Sequence, residues 1–247
     1  MKVLGIVGSP HKDGRTNRLV TRALEGSQKA GAQTEIIYLV DYEIPQWSEG
    51  GKRAPEELSE IVDGSDAYVL GAPVYYLDVN GLTKDFMDVA SMPNSNGKPA
   101  LGISVAGGTG KGLTSALKSI YYFFFCKGLR GMSPLPVSRF NFDKALGKAC
   151  NSGKELARLS RRPFGEAKRE WNLTERISYY FGLPFMNYDV VDEILLLAEQ
   201  LMEISRSKGL NIEEAEMEYR KAKELIEQRR KAESIKHAVK AYETLYY

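Results

Sequence analysis

The stretch Val3-Leu4-Gly5-Ile6-Val7-Gly8-Ser9-Pro10-His11-Lys12-Asp13-Gly14-Arg15-Thr16-Asn17 decides how the rest of the chain is read. An apolar run rich in β-branched residues ends at Gly8. A polar loop carrying Ser9, Pro10, Gly14, Thr16 and Asn17 follows at once. Leu19, Val20, Ala23 and Leu24 then recur at helical spacing, so the loop leads from a buried strand into a helix. The first N–H groups of a helix have no internal partner, and the macrodipole favours negative charge there. The loop is therefore a candidate phosphate cradle. A plain turn at Gly14 with Thr16 or Asp13 as helix cap accounts for the same residues, and the loop alone does not choose.

Downstream, Gly31 closes that helix and residues 34–39 are β-rich. Residues 41–55, with Pro45, Gly50, Gly51 and Pro55, read as a loop, and Pro55-Glu56-Glu57-Leu58 opens a short helix. Residues 67–71 form a wholly apolar third strand, followed by the loop Ala72-Pro73-Val74-Tyr75-Tyr76 and a helix over 81–91. A fourth strand over 100–106 leaves through Gly107-Gly108-Thr109-Gly110-Lys111-Gly112 into another helix. A fifth strand is expected near 132–137, where Pro134 and Pro136 point to a sheet edge. Strands that are apolar throughout, alternating with helices, predict a parallel, doubly wound α/β sheet covered on both faces. Loops 9–17, 72–80 and 107–112 then leave the same carboxyl edge, where open α/β folds bind ligands.

Past residue 140 the chain reads as helical. A helix over 143–161 packs back on the sheet, 163–184 is aromatic-rich and irregular with a candidate helix over 166–180, and 190–204 is a strongly apolar helix. Residues 212–242 read as one long charged helix whose apolar seam falters at Arg229 and resumes in shifted register at Ile235. Packing on its own domain and a dimer contact both satisfy that seam. The expected division is an α/β domain over 1–162 and a helical extension over 163–247. The run Tyr121-Tyr122-Phe123-Phe124-Phe125 is too continuous for one helix face, so it is either buried all round or partly covered by another subunit.

Composition removes several classes. Hydrophobic residues at 43% and charged residues at 27% describe an ordinary globular chain, and a net charge of +2 does not argue for a nucleic-acid surface. Cys126 and Cys150 form no C-x-x-C pair and the only histidines are His11 and His237, so no metal site is expected. No apolar run approaches the roughly 18–20 residues of a membrane helix. The N-terminus enters a strand with no basic n-region, and a cytoplasmic protein is expected.

The phosphate loops can be tested by spacing. Gly5, Gly8 and Gly14 do not form G-x-G-x-x-G. The Gly110-Lys111 pair approaches a Walker A loop, but Val105 and Gly112 stand where that motif needs glycine and a hydroxyl, so triphosphate hydrolysis is rejected. A flavin monophosphate site fits better, with hydroxyls from Ser9 and Thr16 and backbone N–H groups from residues 15–17.

Gly8-Ser9-Pro10 with Gly14-Arg15-Thr16-Asn17, then Pro73-Val74-Tyr75-Tyr76 with Gly81 and Lys84, resembles the NADPH-dependent FMN reductase family. Within it the chain resembles the branch of iron–sulfur flavoproteins and their cluster-free relatives, over about residues 1–140. The resemblance implies a flavodoxin-like five-stranded sheet of order 2-1-3-4-5, bound FMN, and a homodimer or homotetramer. It implies Ser9, Arg15, Thr16 and Asn17 on the phosphate, Pro73, Val74, Tyr75 and Tyr76 along the isoalloxazine, and Gly107, Gly108, Thr109 and Gly110 at the ring's other edge. Residues 41–55 lack the cluster cysteines of that branch, so no iron–sulfur centre is expected. In that loop Trp47 could cover a flavin or an adjacent subunit, and a packing role is the one expected. The function implied is hydride transfer from NAD(P)H through FMN to a small acceptor such as a flavin or quinone, with no side chain nominated as acid, base or nucleophile. A flavodoxin-like electron carrier serving a protein partner is the alternative.

Overall fold

The computed structural model describes residues 1–47, 53–161 and 171–246. Its first half alternates β1 (Lys2–Val7), α1 (Arg15–Lys29), β2 (Gln33–Tyr38), α2 (Glu56–Asp63), β3 (Ala67–Tyr75), β4 (Asp78–Val79), α3 (Gly81–Val89) and β5 (Pro99–Ala106). Then come α4 (Leu113–Cys126), β6 (Arg130–Gly131), β7 (Leu135–Ser138) and α5 (Phe142–Ser160). Four helices complete the chain: α6 (Leu173–Phe181), α7 (Val190–Ser207), α8 (Glu213–Glu227) and α9 (Lys231–Tyr246).

The parallel core runs β2-β1-β3-β5, and β6 and β7 both pair with β5 at the far edge. This is the flavodoxin-like order 2-1-3-4-5, with the fifth strand divided in two. Pro134 lies between the pieces and Pro136 sits in β7 opposite Ser104. A residue without an N–H is tolerated in that edge position.

Period-two alternation divides each apolar strand between two cores. Leu4, Ile6, Tyr68, Leu70 and Ala72 face one layer, with Phe86 of α3 and Leu117 and Ile120 of α4. Val3, Val7, Ala67 and Val69 face the other, with Leu19, Val20 and Ala23 of α1 and Ala149 and Leu156 of α5. Burial raises the pKa of the phenols of Tyr68 and Tyr121, which act as neutral donors: Tyr68 to the Val62 carbonyl at 2.9 Å, Tyr121 to that of Met132.

Two expectations need correction, and a third is narrowed. The charged segment 212–242 is two helices, because Arg229 takes φ +60° and reverses the chain between α8 and α9. The seam shift after Arg229 is a fold-back. Part of the aromatic run is covered by its own chain: Phe185 lies edge-on to Tyr121 at 4.6 Å and Tyr180 meets Phe125 at 5.5 Å, whereas Tyr122 stays exposed. Trp47 does not pack against the described residues: it is 65% exposed and borders an open cleft with Met92, Cys126 and Arg176. The expected boundary at 162/163 lies outside the described residues. Among the described residues, no helix is long and apolar enough to cross a membrane.

Candidate functional site

Register places the three loops together. Val7, Gly71 and Ile103 stand level across β1, β3 and β5, so the chain leaves each strand at one edge. β3 runs on past that level and turns back through β4, with Val74 opposite Val79 and Tyr75 opposite Asp78. The expected loop 72–80 is thus a β-hairpin. Tyr76 and Leu77 at its tip take φ +50° and +69° with no glycine or asparagine to ease them, and both side chains are exposed. Non-glycine residues in that region cost energy and cluster at functional sites.

The first loop is built around Gly8. Its carbonyl accepts Asn80 Nδ2 at 2.8 Å and Thr83 Oγ1 at 3.2 Å, and its N–H donates to the Gly71 carbonyl at 2.8 Å. A Cβ there would lie 1.9 Å from Thr83 Oγ1, so the close approach requires glycine. Beyond it, Ser9 is buried and its Oγ accepts the His11 N–H at 3.1 Å. Helix α1 starts at Arg15, and its hydrogen-bond ladder opens with Arg18 N–H to the Gly14 carbonyl at 3.2 Å. The N–H groups of Arg15, Thr16 and Asn17 precede that ladder, and the first turn holds no acidic residue.

Side chains here divide by task. Thr16 is buried beside Gly71. Asn17 is turned inward: its Nδ2 donates to the Lys12 carbonyl, and its Oδ1 accepts Thr21 Oγ1 at 3.1 Å and Tyr38 OH at 3.3 Å. That side chain braces the loop and leaves its N–H for a ligand. Arg15 is exposed, 5.6 Å from the Phe142 ring centre, and Lys12 is paired with Asp41.

The third loop has two halves. A Cβ on Gly107 or Gly108 would meet nothing within 4 Å, so this half faces open space. The second half is covered by the C-terminal helices. The Thr109 carbonyl accepts Tyr242 OH at 2.8 Å, and Gly110 lies against Leu197 and Phe140. Gly112, at φ +96°, abuts Leu77 of the hairpin, and Ser115 Oγ donates to the Leu77 carbonyl. Contacts 8–80, 8–83, 77–112 and 77–115 therefore join all three loops.

The N-terminus of α4 carries a feature absent from the motif reading. Glu193, at the start of α7 and 7% exposed, accepts the N–H groups of Gly112 at 2.5 Å and Thr114 at 2.9 Å, and the Thr114 hydroxyl. An internal carboxylate thus fills the N-terminus of α4. That of α1 is left to Ser9, Thr16 and three backbone N–H groups. Asn80 before Gly81 signalled a helix start, but nothing in the spacing signalled that its side chain turns to Gly8. Nothing in the sequence signalled Glu193 or Tyr242.

The profile of the NADPH-dependent FMN reductase family matches residues 1–146. An iron–sulfur flavoprotein of Archaeoglobus fulgidus is 31% identical over 125 residues, covering 45% of this chain and 57% of that relative's own length. A second, from Methanocaldococcus jannaschii, is 30% identical over 188 residues, covering 64% of this chain and 97% of that relative. Among solved structures, an NADH:FMN oxidoreductase superposes with a TM-score of 0.52 at 20% identity, over 68% of this chain and 94% of that one, a likeness of fold.

Proposed function

The chain belongs to the NADPH-dependent FMN reductase family, and from that premise we propose that it is an FMN-dependent NAD(P)H oxidoreductase acting on a small acceptor, a flavin or a quinone. The observation that carries this reading is the contrast between the two helix N-termini: Glu193 fills that of α4, and that of α1 presents buried hydroxyls and N–H groups with no acid. A dianionic phosphate suits the second and is repelled from the first.

In this reading Ser9, Thr16 and the N–H groups of Arg15, Thr16 and Asn17 hold the phosphate, with the Arg15 guanidinium adding charge from solvent. Pro73, Val74, Tyr75 and Tyr76 line the isoalloxazine on one side, and the open backbone of Gly107 and Gly108, continuing to Thr109 and Gly110, approaches its other edge. Bound FMN supplies the hydride-accepting and hydride-donating chemistry, so the protein's task is to bind, orient and shield. The Asn80–Gly8–Thr83 network fixes the phosphate loop to the hairpin. The exposed Tyr75, Tyr76 and Leu77 at the mouth shape what docks there.

Residues 1–162 are taken as the flavin-binding unit, 163–247 as an extension, and the protein as cytoplasmic. A homodimer or homotetramer goes with the family and is read by light scattering. Its contact is best supplied by Leu173, Ile177 and Phe181, exposed on one side of α6.

Anaerobic mixing with NADH and NADPH tests the activity. The expected result is bleaching of the flavin absorbance by at least one donor and its return on adding a quinone. A flavin that neither donor bleaches contradicts the reductase reading and favours the electron carrier.

A further inference from the structure

Within that flavin reading, we infer that Glu193 is a positioning residue for FMN: a carboxylate from the C-terminal extension that sets the glycine-rich loop 107–112 against the ring. The family profile ends at residue 146, so Glu193 lies outside what membership assigns.

The argument begins with α4. Its first N–H groups need partners, and Gly112 at φ +96° has no side chain to cap them. Glu193 reaches across from α7 and uses both oxygens, Oε1 on the Gly112 N–H and Oε2 on the Thr114 N–H and hydroxyl. The site is buried, since Glu193 is 7% and Thr114 5% exposed. Hydrogen bonds to an ionised group in such surroundings are stronger than neutral ones and hold their geometry tightly.

A second tether from the same extension lies three residues away. Tyr242 OH donates to the Thr109 carbonyl at 2.8 Å, and its ring lies under Lys111 at 5.5 Å. Loop 107–112 is therefore pinned at its centre and at its end, leaving Gly107 and Gly108 as the free lip. Loosening either pin lets the lip drift from the isoalloxazine while leaving the phosphate cradle intact, because Ser9 Oγ is held by the His11 N–H and α1 starts on the Gly14 carbonyl.

An amide cannot replace this carboxylate. Gln has one acceptor oxygen for three donors, and its NH2 would face an N–H or hydroxyl. In E193Q the apoprotein is expected to bind FMN roughly tenfold to a hundredfold more weakly than the unaltered protein, and the visible spectrum of its bound flavin is expected to shift. Y242F, which removes one hydroxyl, is expected to lose several-fold, and to add little to E193Q because both act on one loop. E218Q is the control: it weakens the α8–α9 contacts to His237 and Lys240, neither of which bonds the loop, and is expected to lower the unfolding midpoint with FMN affinity and spectrum unchanged.

Fluorescence titration of the four apoproteins with FMN decides it. If the unaltered protein does not bind FMN, the flavin reading itself is overturned. If it binds, and E193Q and Y242F match it in affinity and spectrum, the positioning role is overturned. An effect equal in E218Q and E193Q also overturns it, since loss of stability alone then explains both. Should E193Q fail to fold, Y242F and T114V carry the same comparison.

Discussion

Replacing Ser9 and Thr16 together by alanine is expected to weaken FMN binding about a hundredfold to ten-thousandfold. Each hydroxyl lost from a charged phosphate costs about 1.5–3 kcal/mol, or about 3–6 kcal/mol for the pair if the losses add. Both side chains are held in place before any ligand arrives. Ser9 is 5% exposed with its Oγ engaged by the His11 N–H, and Thr16 is 3% exposed in the first turn of α1. Preorganisation of this kind means that little ordering entropy offsets the bonds. The fold should tolerate the change, because neither hydroxyl belongs to the Gly8–Asn80–Thr83 network. Equilibrium titration of the double variant measures the effect, and an unaltered dissociation constant would place the phosphate elsewhere.

Gly153→Ala is expected to destabilise the fold strongly. A Cβ there would sit 1.8 Å from the Ala23 carbonyl oxygen, and on the facing helix one at Gly26 would sit 1.9 Å from that of Cys150. Helices α1 and α5 meet backbone to backbone at this crossing, and Ser27 Oγ donates to the Gly153 carbonyl at 2.8 Å. Rigid backbone cannot yield as a side chain can, so the helices must separate along the layer that holds Leu19, Val20 and Leu156. Overpacking costs about 1–3 kcal/mol and occasionally more, and the better helix propensity of alanine returns at most about 1 kcal/mol. A net loss of roughly 2 kcal/mol lowers the melting temperature by roughly 4–8 °C in a chain of this length. An unchanged or raised melting temperature would mean that the two helices do not cross there.

The sheet was legible because its strands needed no partner to announce them. Residues 3–7, 67–71 and, Ser104 apart, 100–106 are apolar on both alternating sets, which two-sided burial explains. Where the chain breaks pattern without glycine or proline, the reading failed. Arg229 turns α8 into α9 at φ +60°, and Tyr76 and Leu77 turn a hairpin at positive φ, with side chains that carry no turn signal. The aromatic run was readable as needing a cover, but its neighbours Tyr180 and Phe185 lie some sixty residues on. The site shows the same division. Ser9, Gly14, Thr16 and Gly107–Gly110 sit within local motifs and could be nominated. Glu193 and Tyr242 act on loop 107–112 from about 80 and 130 residues away, a juxtaposition that only tertiary packing creates.

The account turns on the N-terminus of α1 as the place where a flavin's phosphate is held, and one comparison tests that claim most directly. The apoprotein is titrated with FMN and, separately, with riboflavin, which has the same ring system and no phosphate. The cradle of Ser9, Thr16 and the N–H groups of residues 15–17 predicts tight quenching of FMN fluorescence and riboflavin affinity at least about a hundredfold weaker. Equal affinity for the two would contradict it.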